Sequence, residues 1–358
     1  MRPLLLALPL WVLTACATDE LPQRGATDRR PGVSTRSLSL CVDGDATQGF
    51  ASFVLTNADE VPITGSLSDV RQTIDGDAPG SGRWEGGETL DQADLDSNLH
   101  VTLVLDASRS IVEDELFEDM RLAAQQLLET GDRIWSERPG DFTWRVVWFD
   151  QWVWEADDDW TFADVPTIPA PTPDDDGFTR MFAGVDFSVD QLTGLRAEGV
   201  AAGDRDNHLL VVFTDGRDNS SGRRSPAVPF ERGQTESEAG FTVHPTSRVS
   251  QDDIVAQLEG LDFLQVSLLA LGNDVDQGVL DSFAQAGRGQ VFAGNDIEQL
   301  FADAERSFET LKTVGWRLPV NPGEELLWEL DFSVEGFTSD TTVQLPILRT
   351  RETPDCAP

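Results

Sequence analysis

The stretch "VTLVLDASRS", residues 101–110, is the part of the sequence that decides the fold. Residues 101–105 are apolar apart from one threonine, which is typical of a strand buried on both faces of a sheet. Asp106 follows this strand, and Ser108 and Ser110 come next at alternate positions. Alone the pattern is weak, because an aspartate at the end of a strand often caps the next helix.

Two further stretches supply side chains of the same kind. "GFTRMFAGV", 177–185, places Thr179 on a loop just before a predicted helix. "LLVVFTDGRDNSS", 209–221, places Asp215 and Gly216 after another buried strand. In this order and spacing, the three stretches resemble a von Willebrand factor A domain with its metal-ion-dependent adhesion site. The resemblance covers roughly residues 98–312, including the late strand, short helix and edge strand in "LALGNDVDQGVLDSFAQAGRGQVF".

The resemblance implies a metal site made only of oxygen ligands. Its members are Asp106, Ser108, Ser110, Thr179 and Asp215. The three hydroxyls would bind directly, and the two carboxylates directly or through water. Oxygen ligands without Cys or His indicate a hard cation, Mg²⁺ first, with Mn²⁺ and Ca²⁺ as alternatives. One coordination position would remain for an acidic side chain of a partner protein. Arg109 stands where the family usually has glycine, and we expect it to point away from the ion.

Strand and helix patterns alternate through this region. "TWRVVWFD" and "QWVWEAD", 143–157, predict a strand that continues into a hairpin, and helices are expected at 115–129, 181–192 and 295–311. Asn295 with Glu298 resembles a capping box for the last helix. We therefore predict an α/β fold: a Rossmann-like, doubly wound, mostly parallel sheet with its site at the carboxyl ends of the strands.

Both ends of the chain instead predict β-structure, in segments 37–97 and 313–358. In "LLWELDFSV", 326–334, every second residue is apolar, as in a half-buried strand. We expect the two segments to pack as one small β-module, with the domain 98–312 inserted between them. Cys41 and Cys356 lie near opposite ends of the chain, and a disulfide between them suits an exported protein. Two separate buried thiols are the alternative.

The N-terminus resembles a bacterial lipoprotein signal. Arg2 precedes an apolar run, and "LTAC", 13–16, matches a lipobox. Signal peptide 1–15 would be removed and Cys16 would carry the lipid; an ordinary secretory signal is the alternative. Residues 16–36 predict a flexible tether. We expect a lipid-anchored protein of the cell envelope, and Ala17, by resemblance to enteric lipoproteins, favours the outer membrane.

The composition restricts the possible partners. The chain has 64 acidic and 26 basic residues and a net charge of −38. Nucleic acid and anionic membrane surfaces are therefore poor partners, and membrane contact is expected only through the lipid anchor. The acidic triplets 157–159 and 174–176 predict solvated loops, with a secondary Ca²⁺ site as the alternative. The long stretch 217–248 predicts either a flexible insertion or a specificity loop beside the metal site.

The chain is not expected to be an enzyme. Its histidines, His100, His208 and His244, form no Ser–His–Asp pattern and no zinc-type cluster, and the first two are expected to be cap or edge residues. The metal site has no evident general base beside it. The predicted function is metal-dependent protein binding, in adhesion or complex assembly. The alternatives are a scaffold or regulatory subunit with a vestigial metal site, and a metal-dependent hydrolase.

Overall fold

A computed structural model describes the chain from residue 32 to residue 353, with gaps. The gaps are 57–66, 85–86, 91–97, 114, 137–139, 157–160, 163–167, 169–178, 203–205, 219–220, 222–240, 245–247, 262, 273–274, 335–336, 338–339, 350 and 352. Several predictions fall outside the described residues and stay predictions. They are the signal peptide, lipidation at Cys16, the acidic triplets, most of loop 217–248, and Cys356 with its disulfide to Cys41.

The described residues form strands and helices with the following bounds. The strands are β1 (Gly32–Asp43), β2 (Ala46–Thr56), β3 (Leu67–Ile74), β4 (Glu88–Leu90), β5 (Asn98–Asp106), β6 (Phe142–Phe149), β7 (Val153–Ala156), β8 (Thr161–Phe162), β9 (Asp206–Thr214), β10 (Phe241–His244), β11 (Leu264–Leu271), β12 (Gln290–Gly294), β13 (Leu311–Leu318), β14 (Glu325–Val334) and β15 (Thr341–Leu348). The helices are α1 (Arg109–Glu113), α2 (Phe117–Trp135), α3 (Met181–Ala202), α4 (Gln251–Glu259), α5 (Gln277–Ala286) and α6 (Ile297–Thr310).

The middle of the chain forms one mostly parallel sheet in the order β10-β7-β6-β5-β9-β11-β12, with β8 paired to β6. Strands β6, β5, β9, β11 and β12 run parallel, and the hairpin strand β7 is antiparallel to β6. From β7 to β12 this is the 3-2-1-4-5-6 order of a doubly wound sheet. The order reverses at β5, because β6 lies on one side of it and β9 on the other. The predicted α/β fold class and the predicted hairpin are confirmed.

Helices cover both faces of this sheet because the central strands are buried on both sides. Helices α2 and α6 pack on one face, with Met120, Leu127, Phe301 and Phe308 in that core. Helices α3, α4 and α5 pack on the other face. Every residue of β9 and β11 is buried, and for β9 the apolar run in "LLVVF" predicts this. No helix among the described residues is long and apolar enough to cross a membrane.

The two ends of the chain meet in a pair of smaller sheets. One has the order β1-β2-β13-β4 and the other β15-β14-β3, so each sheet combines strands from both ends. They share one apolar core, where Phe53 stacks on Phe332 and Trp316 meets Trp328 edge to face. The predicted face of β14 is buried and alternates with more exposed residues; its members are Leu326, Trp328, Leu330, Phe332 and Val334. Cys41 lies buried on β1.

Three details of the sequence interpretation are wrong. Strand β1 begins at Gly32 and pairs with β2, so residues 32–36 of the predicted tether are part of a sheet. The N-cap of α6 is Asp296, whose carboxylate accepts the amide hydrogen of Gln299, rather than Asn295. His100 and His208 are buried inside β5 and β9, and are neither cap nor edge residues.

Candidate metal site

Asp106 anchors the site from the last position of β5. Its side chain is fully buried. Oδ1 accepts the backbone amide of Ser108 at 2.9 Å, and Oδ2 accepts the hydroxyl of Thr214, at the end of neighbouring β9, at 2.8 Å. A carboxylate can occupy this buried place because both oxygens have donors. These bonds also hold the turn after β5 in one conformation.

Ser108 and Ser110 connect Asp106 to Asp215 through a chain of hydrogen bonds. The hydroxyls of Ser108 and Ser110 lie 3.3 Å apart, and Ser110 donates to Oδ1 of Asp215 at 3.0 Å. Ser108 is buried, whereas Ser110 is exposed and Asp215 is partly exposed. Alternate spacing on the turn therefore brings both hydroxyls to one side, toward the carboxylate that follows β9.

Thr179 reaches the same place from a third element. It lies just before α3 and lines one cleft together with Ser108, Ser110 and Asp215. The N-terminus of α3 is fixed by the loop after β9. There the Asp218 carboxylate accepts the amide of Phe182 at 2.8 Å, and the Ser221 hydroxyl accepts the amide of Ala183.

The two carboxylates give the site a strong preference for positive charge. Burial, and after it the nearby carboxylate of Asp215, raise the pKa of Asp106 to about 7, although the hydrogen bonds from Ser108 and Thr214 act to lower it. A divalent cation beside them would remove this repulsion and favour the ionised form. The donor set of hydroxyl and carboxylate oxygens fits a hard cation such as Mg²⁺.

The cleft above these ligands is open and mixed in charge. Its volume is about 1260 Å³. Acidic side chains on its lining include Glu113, Asp119 and Glu298, and basic ones are Arg109 and Arg217. Arg109 is exposed on α1 and its guanidinium bonds the carboxylate of Glu113. Arg109 is thus held on the surface, and a side chain of another molecule has room to enter.

All five predicted ligands therefore converge at the carboxyl ends of β5 and β9, beside the point where the strand order reverses. Crevices at such switch points are where doubly wound sheets bind ligands. Three loops bring hydroxyl and carboxylate oxygens there in the order that the sequence resemblance implies. The central part of the chain thus has the doubly wound α/β fold that the sequence resemblance implies. The β-module built from both chain ends is additional to this central α/β domain.

Comparisons with known proteins gave matches among solved structures only. No protein-family model and no curated protein matches the sequence. The chain is similar to VWA2, an ArnB paralog from Sulfolobus acidocaldarius, at 11% identity, 90% coverage of this chain, 75% of that chain and a TM-score of 0.40. It is also similar to a von Willebrand factor type A protein from Catenulispora acidiphila, at 11% identity, 90% coverage of this chain, 74% of that chain and a TM-score of 0.39. A third similar structure is manganese-loaded TRAP from Plasmodium vivax, at 12% identity, 72% coverage of this chain, 96% of that chain and a TM-score of 0.35.

Three side chains around the site were missed by the sequence interpretation. Thr214 bonds Asp106, and Asp218 and Ser221 hold the start of α3 next to Thr179. All three lie inside the quoted stretch 209–221, so the motif contained them. Their roles depend on which backbone amides lie opposite, and that follows from the pairing of β5 with β9 and the position of α3.

Proposed function

We propose that this protein binds a divalent cation, Mg²⁺ in the first place, through Asp106, Ser108, Ser110, Thr179 and Asp215. One observation carries the proposal: the fully buried carboxylate of Asp106 accepts the amide of Ser108, and the hydroxyls of Ser108 and Ser110 connect it to the carboxylate of Asp215, which follows the next strand. Hydroxyl ligands add no negative charge, so a cation held there remains able to attract a further anionic ligand.

We propose further that the cation joins this protein to a protein partner that supplies an acidic side chain. The chain carries a net charge of −38, and Glu113, Asp119 and Glu298 line the cleft. An acidic partner would be repelled by these groups at close range. At physiological salt the Debye length is about 8 Å, so the local charge decides the contact. The cation supplies that local charge, which makes the contact metal-dependent.

The location of the protein is a proposal that rests on the sequence. The lipobox "LTAC" ends at Cys16, and a lipid there would anchor the protein to an envelope membrane. One acyl chain holds a protein only weakly, so stable anchoring needs two or more. The von Willebrand factor A domain would then meet its partner at a membrane surface, as part of an adhesion contact or an assembly.

Calorimetric titration with MgCl₂, MnCl₂ and CaCl₂ tests the metal step directly. The purified wild-type chain should bind one Mg²⁺ or Mn²⁺ ion at the site, and Asp106→Ala should lose at least about tenfold in affinity. Asp119→Asn is the matched control, because it removes a carboxylate from the same cleft but not from the ligand set. Equal Mg²⁺ affinities for wild type and a folded Asp106→Ala chain would show that these residues do not hold the ion.

A further inference from the structure

A second group of potential metal ligands lies at the opposite, amino-terminal ends of the central strands β5 and β9. His100 of β5 and His208 of β9 are register partners in the parallel ladder. Asp206 precedes His208 by two residues and therefore lies on the same face of the sheet. Asp106 is six residues beyond His100 on the same strand, which is roughly 20 Å away. The two groups are thus separate.

The three side chains are close enough to share one ion. Their ligand atoms all lie within 4.8 Å of one another, and all three residues are buried. His100 Nε2 is 3.3 Å from Asp206 Oδ1. Ligand atoms in a tetrahedral zinc site with bonds of 2.0–2.1 Å are roughly 3.3–3.4 Å apart. The two imidazole rings stack with their centroids 4.9 Å apart.

His208 is the member of the group that needs a ligand. Its exposed fraction is 2%, and neither ring nitrogen has a hydrogen-bond partner in the described part of the chain. An imidazole buried without a partner costs free energy, and such groups are rare. A cavity of about 10 Å³ lies beside the ring, which is about the space of one water molecule.

Neighbouring groups already orient the other two members. The Nδ1 atom of His100 is hydrogen-bonded to the Thr143 hydroxyl, which leaves its Nε2 atom directed toward Asp206. Asn98 donates to Oδ1 of Asp206 at 2.9 Å. Outer partners of this kind hold histidine and carboxylate ligands in place around protein-bound metals.

Helix α3 shapes the remaining side of the group. A Cβ atom at Gly199 would lie 1.8 Å from Oδ2 of Asp206, so only glycine lets the helix pass over the carboxylate.

We propose that His100, Asp206 and His208 bind one transition-metal ion of the zinc class, at a site distinct from the candidate metal site at Asp106. Two imidazoles and one carboxylate are ligands that zinc accepts, with a water as the fourth. The site is buried between β5, β9 and α3, which suits a structural ion. Such an ion would tie the amino ends of the two central strands together.

The zinc content of the purified chain, measured by mass spectrometry after gel filtration from a zinc-containing buffer, tests this proposal. We expect about one zinc per chain in wild type and in Asp106→Ala, and at least a tenfold lower content in His208→Gln. His244→Gln is the control, because His244 is the remaining histidine and instead contacts Glu155. It should keep its zinc.

Each contrary result has a distinct meaning. Zinc lost in Asp106→Ala but kept in His208→Gln would place the ion at the Asp106 site. That result would overturn the proposed zinc site and leave the metal site at Asp106 standing. Zinc missing from the wild-type chain would overturn the proposed zinc site as well. If His208→Gln does not fold, the zinc-edge X-ray absorption spectrum of Asp106→Ala decides. Two imidazole ligands support the proposal, and coordination by oxygen alone contradicts it.

Discussion

The hydroxyl of Ser110 donates a 3.0 Å hydrogen bond to Oδ1 of Asp215, a residue 105 positions later in the chain. A second bond, from Thr214 to Asp106, joins the same two strand ends. Strands β5 and β9 are neighbours in register, with Leu105 opposite Phe213. The spacing of the candidate ligands is therefore set by the register of the buried sheet as well as by the loops.

The raised pKa of Asp106 predicts a pH dependence for the metal-free protein. Its pKa is about 7 when folded and about 3.9 when unfolded. Between these values the folded state holds the extra proton, so stability falls as pH rises, by at most about 1.4 kcal/mol per pH unit. In EDTA, the Tm of the protein should therefore fall between pH 5 and pH 8. With Mg²⁺ present, the fall in Tm should be smaller, because a bound cation favours the ionised carboxylate.

Asp106→Asn provides the control for that pH dependence. The amide cannot ionise, so the Tm of this variant in EDTA should change less between pH 5 and pH 8 than that of wild type. If both proteins show the same slope, other groups cause the effect and Asp106 is not the buried acid that the site requires.

Asp218→Ala should weaken metal binding without removing a ligand. Asp218 accepts the amide of Phe182 and so holds the first turn of α3, directly after Thr179. Loss of a cap costs about 1 kcal/mol of stability, and Mg²⁺ affinity should fall with it. Asp276→Ala removes the cap of α5 instead and should cost similar stability with unchanged Mg²⁺ affinity. Equal metal affinities for the two variants would mean that Asp218 acts only on stability.

The sequence predicted the parts of the fold that depend on hydrophobic period. The largely apolar runs in β5 and β9 predicted buried strands, and alternation in β14 predicted a half-buried one. The candidate ligands followed from the resemblance in motif order. The capping roles of Asp218 and Ser221 and the His100–His208 contact did not, because each joins side chains across strands or loops. A polar residue in a buried strand shows its role only when its neighbours are known.

The lipid anchor is tested by Cys16→Ser. This change removes the thiol to which the lipid would be attached, so an uncleaved or mislocalised precursor should accumulate. Partitioning of the protein into the detergent phase of a Triton X-114 extract should be lost. A Cys16→Ser protein that partitions like wild type would contradict lipidation at Cys16.

The predicted disulfide between Cys41 and Cys356 is tested by peptide mass mapping of exported protein without reduction. A cross-linked peptide pair is expected. Reduction of a bridge that closes so long a loop should cost roughly 2–5 kcal/mol of stability. Detection of both cysteines as free thiols in the exported protein would rule the bridge out.

The central claim is that the cation at Asp106 and Thr179 makes the contact with a partner. The most direct measurement is co-purification of cross-linked partners from native membranes, with Mg²⁺ or with EDTA, for wild type and for Asp106→Ala and Thr179→Ala. Circular dichroism confirms that each variant is folded. The control is Thr193→Ala, which changes a threonine within α3, the helix that begins just after Thr179. We predict that EDTA or either site variant abolishes capture of a defined partner, and that Mg²⁺ restores it for wild type and Thr193→Ala only. Undiminished capture by folded Asp106→Ala in EDTA would contradict the account and show that the domain works as a metal-free scaffold.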